Sequence, residues 1–149
     1  MRGRSPETLL RQVRQWHGRL ARSGARTTPQ QWRTSGIPGL SRIEGHGPKA
    51  VLWSVQELCD SRELVAEGRR MRHCVATYVS SCARGFVAIF SMTRTQGHDT
   101  KPLLTVEVRV AERRIVQARG KDNALANPDQ RRVLGIWAQE ARLTVGTYL

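Results

Sequence analysis

Leu103-Leu104-Thr105-Val106-Glu107-Val108-Arg109-Val110, then Ala111-Glu112-Arg113, then Arg114-Ile115-Val116-Gln117-Ala118-Arg119, is the stretch that decides the fold. In its first part Leu104, Val106, Val108 and Val110 alternate with Thr105, Glu107 and Arg109, the period-two pattern of a strand with one buried face. A turn at Ala111-Glu112-Arg113 sets Val110 against Arg114, Val108 against Val116 and Val106 against Ala118, so apolar residues meet across the hairpin. A two-residue turn mismatches the faces. The same register puts Glu107 beside Gln117 and Thr105 beside Arg119 on the opposite face.

Working outward, Phe86–Thr93 reads as a third strand and Ala50–Val55 as another. Between them, Ser61 is placed to cap a helix from Arg62 to about Arg70, with Leu64 and Val65 facing inward. A second helix, Cys74 to Cys82, carries Val75, Tyr78, Val79 and Cys82 on one side and ends at Gly85. Pro128-Asp129 opens the last helix, whose expected buried stripe is Val133, Ile136, Trp137 and Ala141. Consecutive strands with helices before and after them predict an α+β domain, with a small antiparallel sheet of three to four strands flanked by helices.

The first third of the chain has a different character. Ser5-Pro6-Glu7 is a helix start, and Leu9, Val13, Trp16 and Leu20 then recur at helical spacing, with Arg11, Arg14 and Arg22 elsewhere on its surface. Gly24 fits its end. From Ala25 to Pro48 the chain is rich in Gly, Pro, Ser and Thr, and Pro29, Pro38 and Pro48 rule out long regular structure. Trp32, Ile37 and Leu40 suggest an arm lying on the body. The expected division is a basic helix plus a Gly/Pro-rich arm over 1–48 and the α+β domain over 49–149.

Charge points to a partner. The 149 residues carry 25 Lys plus Arg against 12 Asp plus Glu, a formal +13. The only lysines are Lys49, Lys101 and Lys121, so arginine dominates, and its planar fork suits phosphate and carboxylate. Nucleic acid, or an acidic protein surface, is the expected partner. A G+C-rich genome explains the Arg/Lys ratio but not the net charge. The longest apolar run, Phe86–Phe90, is too short to span a bilayer, no apolar signal segment follows the basic start, and a cytoplasmic location is expected. Cys59, Cys74 and Cys82 are odd in number, so reduced thiols are expected rather than a disulfide framework.

Two segments are unusually polar for their positions: Glu67-Gly68-Arg69-Arg70-Met71-Arg72-His73-Cys74-Val75-Ala76-Thr77-Tyr78 and Ile115-Val116-Gln117-Ala118-Arg119-Gly120-Lys121-Asp122-Asn123. Here the sequence resembles the PcfJ-like family, named for a conjugative-plasmid protein. The likeness rests on the order Leu64, Glu67-Gly68, Met71, His73-Cys74-Val75, Tyr78, Gly85, Ile89-Phe90-Ser91, Thr105-Val106-Glu107 and Gln117 to Asn123, over roughly residues 50 to 140. The resemblance implies a mobile-element or phage setting and an association with DNA processing or transfer. It brings no established reaction with it.

Read physically, His73 beside Cys74 could activate the thiol at a helix entrance, or Cys74 could be a small core residue with His73 bonded to backbone. His73, Cys74, Cys82 and Cys59 lack zinc-site spacing, so no metal and no cofactor is expected. Glu107, Gln117 and Asn123 join His73 and Cys74 as catalytic candidates. Arg119, Gly120 and Lys121, with Arg11, Arg14 and Arg22, are the candidates for holding phosphate. Three functions follow. The first is a binding module on nucleic acid or a nucleoprotein complex, as an accessory factor of a mobile element. The second is an enzyme on a phosphate-containing or nucleic-acid substrate, with Glu107 or His73 as base and Arg119 with Lys121 as clamp. The third is an inhibitor or adaptor gripping an acidic protein surface, such as a host defence complex. No membrane partner is expected, and no residue pattern fixes an oligomeric state.

Overall fold

The computed structural model describes residues 30–72 and 78–146. The expected N-terminal helix with Arg11, Arg14 and Arg22, and the pair His73-Cys74, lie outside the described residues. Six strands form one sheet in chain order: β1 (Leu40–Glu44), β2 (Val51–Leu58), β3 (Val87–Gln96), β4 (Asp99–Arg109), β5 (Arg114–Arg119) and β6 (Thr144–Val145). The first five run as an antiparallel meander, and β6 pairs parallel to β5. The helices are α1 (Ser61–Met71), α2 (Val79–Ala83) and α3 (Pro128–Ala141).

The α+β class holds, but three to four strands is an undercount. The strand β1 arises from the Gly/Pro-rich arm and buries Leu40 while leaving Ser41, Arg42 and Ile43 exposed, so it lacks an alternating pattern. The strand β6 is two residues long, too short to leave a periodic signal. Helix α1 begins one residue earlier than its sequence suggests. Asp60, not Ser61, is the N-cap, accepting from the Glu63 N–H, while Ser61 Oγ accepts from Gln30 N–H. Helix α3 starts at Pro128 behind an Asn127–Gln130 capping box.

One sheet face carries Trp53, Val55, Phe90, Met92, Leu104, Val106, Val108 and Ile115, covered by Val133, Leu134, Trp137, Ala138 and Ala141 of α3. Ile136, expected in that stripe, is only half-buried. The other face packs Leu58 and Ile89 against Leu64 of α1 and Val79 and Cys82 of α2. The domain therefore has three layers, with α3 on one side and α1 and α2 on the other. Among the described residues no helix is long and apolar enough to cross a membrane.

The expected hairpin register holds for one half of β5 and shifts in the other. Thr105 pairs with Arg119, Val106 with Ala118 and Glu107 with Gln117. Beyond these, a bulge intervenes, so Val108 pairs with Ile115 rather than Val116, and Arg109, not Val110, meets Arg114. The turn spans four residues, with Arg113 in the left-handed region at φ 48°. One extra residue in β5 lets both Gln117 and Ile115 keep their proper faces.

The arm lies on the body. Ile37 and Leu40 are buried in the main core, Trp137 Nε1–H donates to the Pro38 carbonyl at 2.8 Å, and Trp32 Nε1–H donates to Leu58 O at 3.2 Å. A Cβ on Gly39 would stand 2.2 Å from Val55 O, so only glycine allows this approach. The strand β1 is also clamped to α3. Arg132 makes a two-pronged ion pair with Glu44 at 2.8 and 2.9 Å, and Arg42 and Trp53 donate to the same carboxylate. Those hydrogen bonds, led by Arg132, hold the Glu44 carboxyl down at about 2 from its ordinary 4.5.

Because the folded pKa is the lower one, the clamp's stabilisation is present above about pH 4.5 and is lost as pH falls towards 2. Glu44→Gln is thus expected to be less stable than the parent chain at neutral pH. The gap should be modest, since the pair is partly exposed, and should close between pH 4.5 and 2. Urea unfolding across that range checks it; a gap independent of pH contradicts it.

Candidate functional site

The two polar segments come together in space. Helix α1 ends at Met71, with Arg72 as a C-cap in the left-handed region, and the 3-10 turn Lys121–Asn123 packs against it. Arg72 Nη1 lies 4.0 Å from Asp122 Oδ2. The C-terminal turn of α1 carries Arg69 and Arg70, and β5 delivers Arg119 immediately before the turn that carries Lys121. Far apart in sequence, these two groups of basic residues are brought to one region by the packing of one helix end on one loop.

Beneath this cluster sits Glu67, which is fully buried. Its Oε1 accepts from Ser91 Oγ at 3.0 Å and from Arg70 Nη2 at 2.8 Å, and its Oε2 accepts from the Thr105 hydroxyl. Ser91 and Thr105 are cross-strand partners, so a single carboxylate ties α1 to β3 and β4. The charge is tolerable there because Arg70 reaches it and both oxygens have donors. Sequence reading quoted Glu67 but assigned it no role. The signal was present: Leu64, Glu67 and Met71 share a helix face at spacings of three and four, which puts an acid on the buried stripe.

Further along the same face, Glu107 and Gln117 are cross-strand neighbours and both are half-buried. The Tyr78 hydroxyl donates to Glu107, an interaction that sequence reading missed. Burial first, then the Glu107 charge, push the Tyr78 hydroxyl up to about 12, so it stays protonated as a donor. Asn123 is exposed in the turn, away from the strand pair in sequence and burial alike. Asp122 and Asn123 both have positive φ, at 57° and 65°, a conformation that Asp and Asn adopt more readily than other side chains.

Gly120 is buried, and its N–H donates to Ala124 O at 2.6 Å. A Cβ there would stand 3.1 Å from Leu103 O, so the glycine lets the turn close on β4. Its N–H is thereby engaged with protein. Arg119 is half-buried with one guanidinium N–H on Ala118 O, and Lys121 is exposed.

The thiols are poor nucleophiles where they are described. Cys59 and Cys82 are free; burial first, then nearby carboxylates, raise them to about 11 and about 12. Among the described residues no group of three or more His, Cys, Asp or Glu is placed to hold a metal ion.

With this geometry in place, comparison with known families is decisive on one point. The family model of the PcfJ-like protein matches residues 11–134. The chain belongs to the PcfJ-like family. The match takes in α1, both polar segments and the first half of α3, and extends into the basic N-terminal third that sequence reading set apart from the PcfJ-like core. No curated protein and no solved structure matches the chain.

Proposed function

We infer that this PcfJ-like chain is a nucleic-acid-associated binding module, an accessory factor of a mobile element that holds phosphate through arginine-rich surfaces. The observation that supports this reading is the packing of α1, which carries Arg69 and Arg70 in its last turn and Arg72 as its cap, on the Lys121–Asn123 turn that follows Arg119, with Asp122 near Arg72 and buried Glu67 paired with Arg70. Such a surface neutralises phosphates without reading bases, so binding is steeply salt-dependent and weakly sequence-selective. Arg11, Arg14 and Arg22 extend the same charge in sequence and belong to the proposal.

The test is a salt titration of affinity for duplex DNA. Arg119→Gln with Lys121→Gln should weaken binding at every sequence and lower the slope of log K against log salt by up to about 2. An unchanged slope contradicts their role. A truncation at residue 48 is a poor test, since it removes β1, Ile37 and Leu40 from the fold. Arg11, Arg14 and Arg22 are better neutralised in place by Gln. If the partner is instead an acidic protein surface, bulk duplex DNA fails to compete for it.

The enzyme reading keeps one specific observation: Tyr78 is hydrogen-bonded to Glu107, whose cross-strand partner is Gln117, on the same face as Thr105 and Arg119. Glu107→Gln retains an acceptor for Tyr78 while removing the charge, so the fold should change little. A loss of phosphate-substrate turnover in that variant favours the enzyme; unchanged function leaves the binding module as the reading.

A further inference from the structure

The opposite end of β5 carries a second basic cluster that the proposed surface does not use. There β3 begins, β4 ends, β5 begins and α3 ends, and the residues at these four termini or beside them include Arg84, Arg109, Arg113, Arg114 and Arg142. Arg109 and Arg114 are direct cross-strand partners, and like charges placed opposite each other destabilise a sheet pair. Glu112 and Glu140 are the acids nearest in sequence, and among the described residues neither forms an ion pair with these arginines. Arg113 spends its guanidinium on the carbonyls of Ala141 and Arg142, which leaves Arg84, Arg109, Arg114 and Arg142 to face solvent.

An exposed aromatic stands at the same end. Phe86 is 63% exposed, whereas Phe90, the other phenylalanine, is fully buried. Its backbone is fixed from both sides: the Phe86 N–H donates to Ser81 O at 3.0 Å, and its carbonyl accepts from Val110 N–H at 3.1 Å. Arg84 precedes it by two residues, and Arg109 pairs with Val87, the residue after it. A ring held out from a pinned backbone offers a π face with little further loss of freedom. Guanidinium groups at the same end of the sheet offer phosphate contacts. A polymer with both exposed base faces and a phosphate backbone is single-stranded nucleic acid; in a duplex the base faces are stacked away.

Resting on the nucleic-acid reading above, we propose that Phe86 with Arg84, Arg109 and Arg114 forms a site for single-stranded nucleic acid, where Phe86 stacks a base and the arginines hold flanking phosphates. Across β5 this site and the Arg119–Lys121 surface are separated by roughly 16 Å at strand spacing. One strand can therefore run along β5 from one to the other.

The experiment measures anisotropy of a labelled oligothymidylate and of a labelled duplex with the full chain and with Phe86→Ala, Phe86→Trp and Arg109→Gln/Arg114→Gln. Phe86→Ala should lose about 5- to 150-fold in affinity for the oligothymidylate, the range of one base–aromatic stack, with duplex affinity nearly unchanged. Phe86→Trp should restore it, and the arginine pair variant should weaken both ligands and flatten the salt slope. Because Phe86 is exposed, its variants should melt with the parent chain. Equal oligothymidylate binding by Phe86→Ala, or an equal loss on both ligands, overturns the stacking site while salt-dependent binding sustains the broader reading. Failure of the unsubstituted chain to bind either ligand overturns both.

Discussion

Replacing Glu67 by alanine is expected to destabilise the domain by about 3–5 kcal/mol, the cost of removing one partner from a buried charged network. The carboxylate is the shared acceptor for Ser91, Thr105 and Arg70. Arg70 is half-exposed and can turn to water, but the hydroxyls of Ser91 and Thr105 are buried and lose their acceptor. Their orphaning, together with the void left on the inner face of α1, produces the loss. Glu67→Gln keeps the shape: its amide oxygen can still accept from Ser91 and Arg70, and its NH2 can donate to the Thr105 hydroxyl, so about 1–2 kcal/mol is expected. Urea unfolding of the two variants measures the difference. Equal, near-zero effects contradict the view that this residue locks the helix to the sheet. Because α1 carries Arg69, Arg70 and Arg72 to the candidate surface, Glu67→Gln should weaken nucleic-acid binding only where it loosens that helix.

Trp137→Ala should cost about as much, roughly 3–5 kcal/mol, for a different reason. Among the described residues Trp137 is the largest fully buried side chain, packed with its ring centroid 4.8 Å from that of Phe90. Its indole N–H also reaches across to Pro38 O, so it holds the arm as well as α3. Truncation leaves a cavity between sheet and helix and an unpaired carbonyl in the arm. Trp137→Phe refills part of the volume but not the hydrogen bond, and an intermediate loss is expected. If chemical denaturation finds Trp137→Phe as stable as the parent chain, the indole N–H contributes nothing.

The parts of the fold that were readable in the sequence are those with periodicity. The β4 alternation, the residues of β5 and the start of α3 all stand where their patterns put them. The β5 bulge left no trace, because one added residue changes neither composition nor the polarity of its neighbours. The strand β1 was hidden by an edge position, where a single buried residue suffices. At the site, the register that joins Glu107 to Gln117 was legible because burial of Val106 and Ala118 enforces it. The union of α1's C-terminal turn with Lys121–Asn123 was not, since it depends on helix placement over the sheet, which no local pattern encodes. Family likeness marked both segments without saying that they touch. Gly120 shows the converse: a residue that looked like a phosphate contact stands at a close approach, where a Cβ would lie 3.1 Å from Leu103 O.

The central claim is that α1's last turn and the 119–123 segment form one nucleic-acid surface, and amide chemical-shift mapping of the full chain during titration with DNA tests it most directly. The expected result is that residues 69–72 and 119–123 shift together and saturate at the same DNA concentration, with both responses collapsing at high salt. Shifts confined to one segment, or absent from both while DNA binds elsewhere, contradict it.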